Sequence, residues 1–386
     1  MSVVHVLINK AIWKFLFVKH DRWKYFFILV IFLFNQKNLN ARILGDSTSL
    51  SLLKKGVDHI YNCEFRQARA AIGELEPIYP GHPVIPLFRG LILYWENFPL
   101  TPSSPALEPF KHEMLTCIKQ CEDKRLLPGE TEYLLADIGA RGLLLTFYAD
   151  NGLGRSVISM AARTYQDVVK AFNYTGTFAD FCFVTGLYNY YRETYPEMHP
   201  FYKPFALLFP RGDKNKGLRQ LENAAGNSIF LKAEALSFLT WINTGYERNY
   251  AAAHRYSKKL LTTYPRNNEY LALHVKNLLL LKEYDEAETL LNKARQPESP
   301  WFSVEKMVFQ ALLQEKKYKN NNRAETLFKT ALNKAHDFGA YAGDYHSICY
   351  FGLSRITTAK GDRKSGREYH KKALELTSYP HLDFGK

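Results

Sequence analysis

Tyr188, Tyr191 and Tyr195 are the residues whose type and spacing most invite recognition chemistry. They continue a stripe that begins with Phe178, Phe181 and Val184, and Phe183, Leu187 and Tyr190 form a second stripe beside it. Aromatic rings at helical spacing can line a groove for an apolar ligand, but they more often pack between neighbouring helices. Two stripes make the segment apolar on two faces, so core packing is the first expectation and a ligand groove the second. An enzyme built here would need converging acids or bases, and only Glu193 and Glu197 stand close in sequence.

The other constellations are weaker. Cys117 and Cys121 lie one helical turn apart, but a four-coordinate zinc needs four ligands and no second Cys or His pair stands nearby at ligand spacing. The five cysteines, odd in number and scattered, read as small buried hydrophobes rather than a disulfide framework. His336, Asp337, Asp344 and His346 share an inter-helix loop, with nothing in their spacing to fix a metal geometry. Asn151-Gly152-Leu153-Gly154-Arg155-Ser156 lacks the Lys-Ser/Thr ending of a phosphate loop, and Arg211-Gly212-Asp213 reads as a tight turn before a helix. Asn173-Tyr174-Thr175 is a glycosylation sequon, meaningful only in a eukaryotic secretory setting. With no nucleophile elbow, paired metal motif or dinucleotide loop, the expectation is a non-enzymatic protein without cofactor or metal.

The elements that must carry these residues are helices. The chain has 386 residues, 46% apolar and 23% charged, with long 3.6-residue stripes and little β-branched alternation, so the fold class is expected to be all-α. Much of the formal charge of +13 comes from the start of the chain, and the remaining charges are interspersed, which argues against nucleic-acid binding.

Small residues recur down the chain. Ala253 and Ala287 are 34 residues apart, as are Gly56 and Gly90. Gly217, Ala324 and Gly366 extend the series at steps stretched by insertions such as Asn320-Asn321-Asn322, and Tyr79-Pro80, Tyr264-Pro265 and Tyr379-Pro380 close second helices. This pattern resembles tetratricopeptide (TPR) repeats and predicts a TPR-like helical-hairpin solenoid, a right-handed superhelix. The stretch 208–225, with Gly212-Asp213 and then Gly217-Leu218 and Leu221, also resembles the eukaryotic family of tetratricopeptide-repeat-domain 39 and inclusion-clearance proteins. That resemblance covers about twenty residues and implies a helical-repeat protein with no catalytic residues to carry over.

Four regions are expected. Residues 1–41 form a signal peptide or N-terminal anchor, 42–128 hold TPR-like hairpins with a loop insertion at 99–105, 129–204 form an irregular aromatic helical segment, and 205–386 form a C-terminal TPR array. The uncharged core Tyr25 to Phe34 is ten residues long behind a basic stretch, closer to a secretory signal than to the about 20 residues of a spanning helix. Cleavage is expected after Ala41; an uncleaved anchor or a mitochondrial presequence are the alternatives. A family departure follows, since an exported N-terminus is not a feature of the inclusion-clearance resemblance.

Function is then expected to be scaffolding of protein or peptide partners in an exported, periplasmic or envelope setting. The alternatives are a membrane-anchored assembly factor, or a small-ligand binder or enzyme using 178–209. Counting back from the small positions, the inner face would carry Phe238 and Ile242, then Ala272 and Lys276, then Phe309 and Leu313, with Lys317 beside them. With Tyr188, Tyr191 and Tyr195, these are the candidate partner-binding residues.

Overall fold

The computed structural model describes residues 43–123, 130–200, 203–294, 299–377 and 379–385. The expected signal or anchor at 1–41 lies outside them. The described chain is all-α, with no strand among the described residues.

Sixteen longer helices follow one another. They are α1 (Ser47–Tyr61), α2 (Phe65–Leu75), α3 (Val84–Glu96), α4 (Leu107–Asp123), α5 (Glu130–Asp150), α6 (Gly154–Ala171), α7 (Asp180–Met198) and α8 (Lys214–Asn227). Next come α9 (Lys232–Trp241), α10 (Tyr250–Thr263), α11 (Asn268–Leu280), α12 (Tyr284–Asn292), α13 (Pro300–Lys316), α14 (Asn321–Ala335), α15 (Gly343–Ala359) and α16 (Arg363–Leu376). Each packs on its successor, and α1, α3 and α5 stack in series, as do α11, α13 and α15.

Local chemistry sets the helix starts. The side chains of Asp46, Asp213, Asn249, Asn267, Ser299, Asn320 and Asp362 each accept a hydrogen bond from a backbone N–H in the first turn that follows. Pro300 occupies the first helical position of α13, where its missing N–H costs nothing.

The hairpin turns repeat more closely than the sequence suggests. Cys63, Arg248, Lys282, Lys319 and Gly361 all have positive φ, between 52° and 94°. The next amide then reaches back into the preceding helix, for example Glu283 N to Leu278 O at 2.9 Å and Asn320 N to Gln314 O at 2.8 Å. Five residues after each left-handed residue stands a buried small one: Ala68, Ala253, Ala287, Ala324 and Gly366. The turn fixes the reversal, and the small residue lets the returning helix approach.

The tightest crossing joins α7 to α8. A Cβ on Gly217 would come 2.7 Å from Tyr190 N and 2.8 Å from Gly186 O, so these helices meet backbone to backbone. Gly90 is similarly pressed by Met114 of α4.

The first hairpins also close onto later ones. Asn267 Nδ2 donates to Tyr61 O at 2.9 Å, Arg266 pairs with Glu64 at 2.8 Å, and the Tyr61 and Tyr264 rings lie 5.7 Å apart. Trp95 packs edge-on against Tyr270, and Phe98 against Tyr341. The tail returns as well, with Tyr379 against Tyr246 beside Gly245.

The residues expected on an inner face are engaged within the chain. Ile242 and Phe309 have no exposed surface, and Ala272 and Leu313 are also buried. Lys276 lies over the Tyr345 ring, 5.7 Å from its centroid, and Lys317 is paired with Asp285 and Glu288, each at 2.6 Å. Repeat register identifies the positions that face inward. Whether the inner face is open depends on what closes over it.

Candidate functional site

The aromatic helix α7 borders a chamber of about 500 Å³, partly open to solvent. Its wall draws on α1, α3, α5, α6, α7 and α9, through residues such as Val57, Leu87, Ile138, Val168, Leu187 and Phe238. Most of the lining is leucine, valine, isoleucine and phenylalanine, with three tyrosines, two threonines, His82, Glu132 and Glu234 among the rest. This size falls in the range of about 300–1,000 Å³ common to small-molecule sites.

Each wall is held from behind. Arg141 on α5, itself buried, bonds Asp137 at 2.9 Å and Glu122 of α4 at 3.1 Å, with Asp167 of α6 at 3.8 Å, so its charge is balanced outside the apolar lining. Asp180, at the start of α7 and fully buried, accepts from the backbone N–H groups of Ile229, Phe230 and Leu231 at 2.8 to 3.0 Å. Burial raises its carboxyl and the three donors oppose that rise. This clamp sets the start of α9 and thereby places Phe230, Leu231, Glu234 and Phe238 on the chamber wall.

Two carboxyl groups reach the chamber, with different surroundings. Glu132 accepts from Leu44 N at 2.9 Å and Ile43 N at 3.3 Å, and His82 Nε2 stands 3.4 Å away. Both of its oxygens are engaged in holding the chain before α1. Glu234 accepts from the Tyr61 hydroxyl at Oε1, while its Oε2 is buried with no partner. The stem of Glu234 is partly exposed, but the carboxyl is not, and burial pushes it up to about 8. Near neutral pH the group is therefore mostly a neutral acid.

The three candidate tyrosines divide. Tyr188 lines the chamber, and its hydroxyl donates to Pro210 O at 2.7 Å; burial pushes this phenol up to about 12. Tyr191 packs among Tyr190, Tyr246 and Phe238. Tyr195 is exposed against His199. Phe238 is the inner-face residue that does reach the chamber, where it meets Phe183 edge-on. The structure therefore brings Tyr188 and Phe238 to one site, whereas Ile242, Lys276, Phe309 and Lys317 are engaged in contacts of their own.

Sequence reading missed Glu234 and Tyr61. Glu234 sits in Ala233-Glu234-Ala235-Leu236, a carboxylate among small and apolar residues, which was the available signal. Among the described residues, no three His, Cys, Asp or Glu side chains gather as a metal set. Cys117 and Cys121 are buried, and Cys117 Sγ donates to Ala136 O at 3.6 Å.

No protein-family model matches this chain, and comparison with characterised proteins finds no match.

Proposed function

We propose that this protein is a non-enzymatic, TPR-like helical-repeat protein whose binding function resides in the apolar chamber, where it holds an apolar molecule. Two features support the repeat reading: the left-handed turn five residues before a buried small residue, and the stacking of alternate helices.

The observation that carries the ligand reading is the chamber itself. Because the chamber is partly open to solvent, its apolar wall is left against water, a penalty of about 25 cal/mol for each Å² of apolar surface. Water is a poor filler, because a buried water needs about three polar partners and this wall offers few. An apolar occupant removes the penalty and buries its own surface in the same step. Possible catalytic groups are few here: the lining carboxyls are one structural clamp, Glu132, and one neutral acid, Glu234.

Gly139 provides the test. A Cβ there would stop 3.4 Å from Leu87 Cδ2, so Gly139→Leu adds volume at the chamber wall without striking backbone. Nile red, a neutral dye that brightens in apolar surroundings, is expected to bind the wild-type chain, and the substitution should weaken that binding at least about tenfold, equivalent to about 1.4 kcal/mol. Equal dye binding by a folded Gly139→Leu chain would show that the chamber is not the site.

A further inference from the structure

The chamber reading supports a second step, which names the ligand's chemistry and rests on that reading. Glu132 spends its acceptor oxygens on the amides of Ile43 and Leu44; His82 Nδ1 accepts from Val84 N, and its buried Nε2, without a hydrogen bond, stands 3.4 Å from Glu132 Oε2. Glu234 is different: Tyr61 occupies one oxygen, and the other is buried beside the chamber without a partner. A buried polar atom left unpaired is costly, and a ligand that pairs with it recovers that cost.

The charge of the ligand follows from the rest of the wall. Among the described lining residues there is no lysine or arginine. An anionic headgroup would lose its hydration with no cation to replace it, which is the most expensive way to fill an apolar site. A protonated carboxyl can donate one hydrogen bond while still accepting another. It matches a single hydroxyl or carbonyl oxygen on an otherwise apolar molecule.

We propose that Glu234 is the headgroup site of the chamber, and that the ligand is a neutral long-chain lipid carrying one hydroxyl or carbonyl oxygen. Tyr61 holds Oε1 by donating to it, and Oε2, buried and unpaired at the chamber wall, meets the ligand oxygen once the side chain turns into the chamber. The alkyl chain then lies along the leucine, valine and phenylalanine wall. Burial, which pushes the Glu234 carboxyl up to about 8, keeps the donor proton in place at neutral pH.

Displacement of Nile red from the full chain at pH 7 by 1-dodecanol, dodecane and dodecanoate tests this. Dodecanol is expected to displace the dye about tenfold more effectively than either of the others, the size of one good hydrogen bond. Glu234→Leu should bring dodecanol down to the level of dodecane and leave dodecane unchanged, whereas Glu234→Gln, which retains a donor, should keep the preference. If all three compounds bind alike, or dodecanoate binds best, the headgroup assignment falls while the chamber stands. If Glu234→Leu is folded and keeps the full dodecanol preference, the assignment also falls. If none of the three displaces the dye, the headgroup assignment falls; if the wild-type chain does not bind the dye, the chamber reading falls with it.

Discussion

The helices from Lys214 to Leu376 and those from Glu130 to Met198 are made of similar residues but close their interiors differently. In the later array, a Cβ on Gly352 would come 2.3 Å from Phe328, and one on Gly366 would come 2.1 Å from Thr358 Oγ1. Around the chamber, a Cβ on Gly139 meets its nearest neighbour at 3.4 Å, and one on Gly142 meets nothing within 4 Å. The α5–α6 turn has the same build as the array turns, with Gly152 at positive φ and Leu153 N bonded to Tyr148 O at 2.8 Å. Its fifth following residue is Val157, partly exposed, where the array has a buried alanine or glycine. A turn reverses the chain in both regions; only the array adds the small residue that draws the two helices together.

The largest test of this contrast is at the backbone crossing. Gly217→Val would drive branched carbons into Tyr190 N and Gly186 O, neither of which can swing aside, and about 3 kcal/mol or more of stability should be lost in urea unfolding. Gly139→Leu, at the chamber, should leave the unfolding midpoint unchanged or raised while weakening dye binding at least about tenfold. If both substitutions destabilise equally, the two interiors do not differ as described.

An intermediate effect distinguishes buried acids away from the chamber from the one that lines it. Glu305 of α13 is buried beside Glu269 of α11 and accepts from the Tyr345 hydroxyl at 2.6 Å, with Lys276 close by. Burial pushes Glu305 up to about 7 and raises Glu269 well above its ordinary value. The folded state therefore keeps protons that the unfolded chain releases near pH 4.5, so stability should fall as pH rises through that window. Glu305→Gln should flatten the fall between pH 5 and 7 and raise the melting midpoint at pH 7.5 by on the order of 3 °C. Glu234→Gln should flatten it up to about pH 8. Dye displacement should be unchanged by the first substitution, since Glu305 does not line the chamber.

The smallest effect concerns the turns. Lys319 holds φ 54°, a region that costs an ordinary L-residue about 1 kcal/mol. Lys319→Gly should therefore stabilise the chain by a few tenths of a kcal/mol up to about 1 kcal/mol, less the glycine's extra unfolded-state entropy. A loss of stability in thermal unfolding would mean that the turn is not strained.

Much of the architecture was legible because it is local. The helix of Phe178, Phe181 and Tyr188, the break at Asp150-Asn151-Gly152, the loop after Pro99 and the small positions from Gly56 to Gly366 all follow from periodicity and capping within a few turns of chain. Ile242 and Phe309, expected on an inner face, are fully buried. The meeting of Tyr61, Asn62 and Glu64 with Tyr264, Arg266 and Asn267, about two hundred residues away, was not legible in the spacing.

The sequence by itself determined an all-helical chain, the places where it reverses, and which small residues let helices approach. Those are properties of neighbouring residues, set by backbone sterics and by the 3.6-residue period. Tertiary structure alone decided that Ile242 and Phe309 are buried, that the aromatic helix borders a chamber, and that Glu234 lines it with one buried oxygen unpaired. A cavity is what remains between side chains from Val57 to Phe238, and its volume depends on how six helices settle together rather than on any one of them.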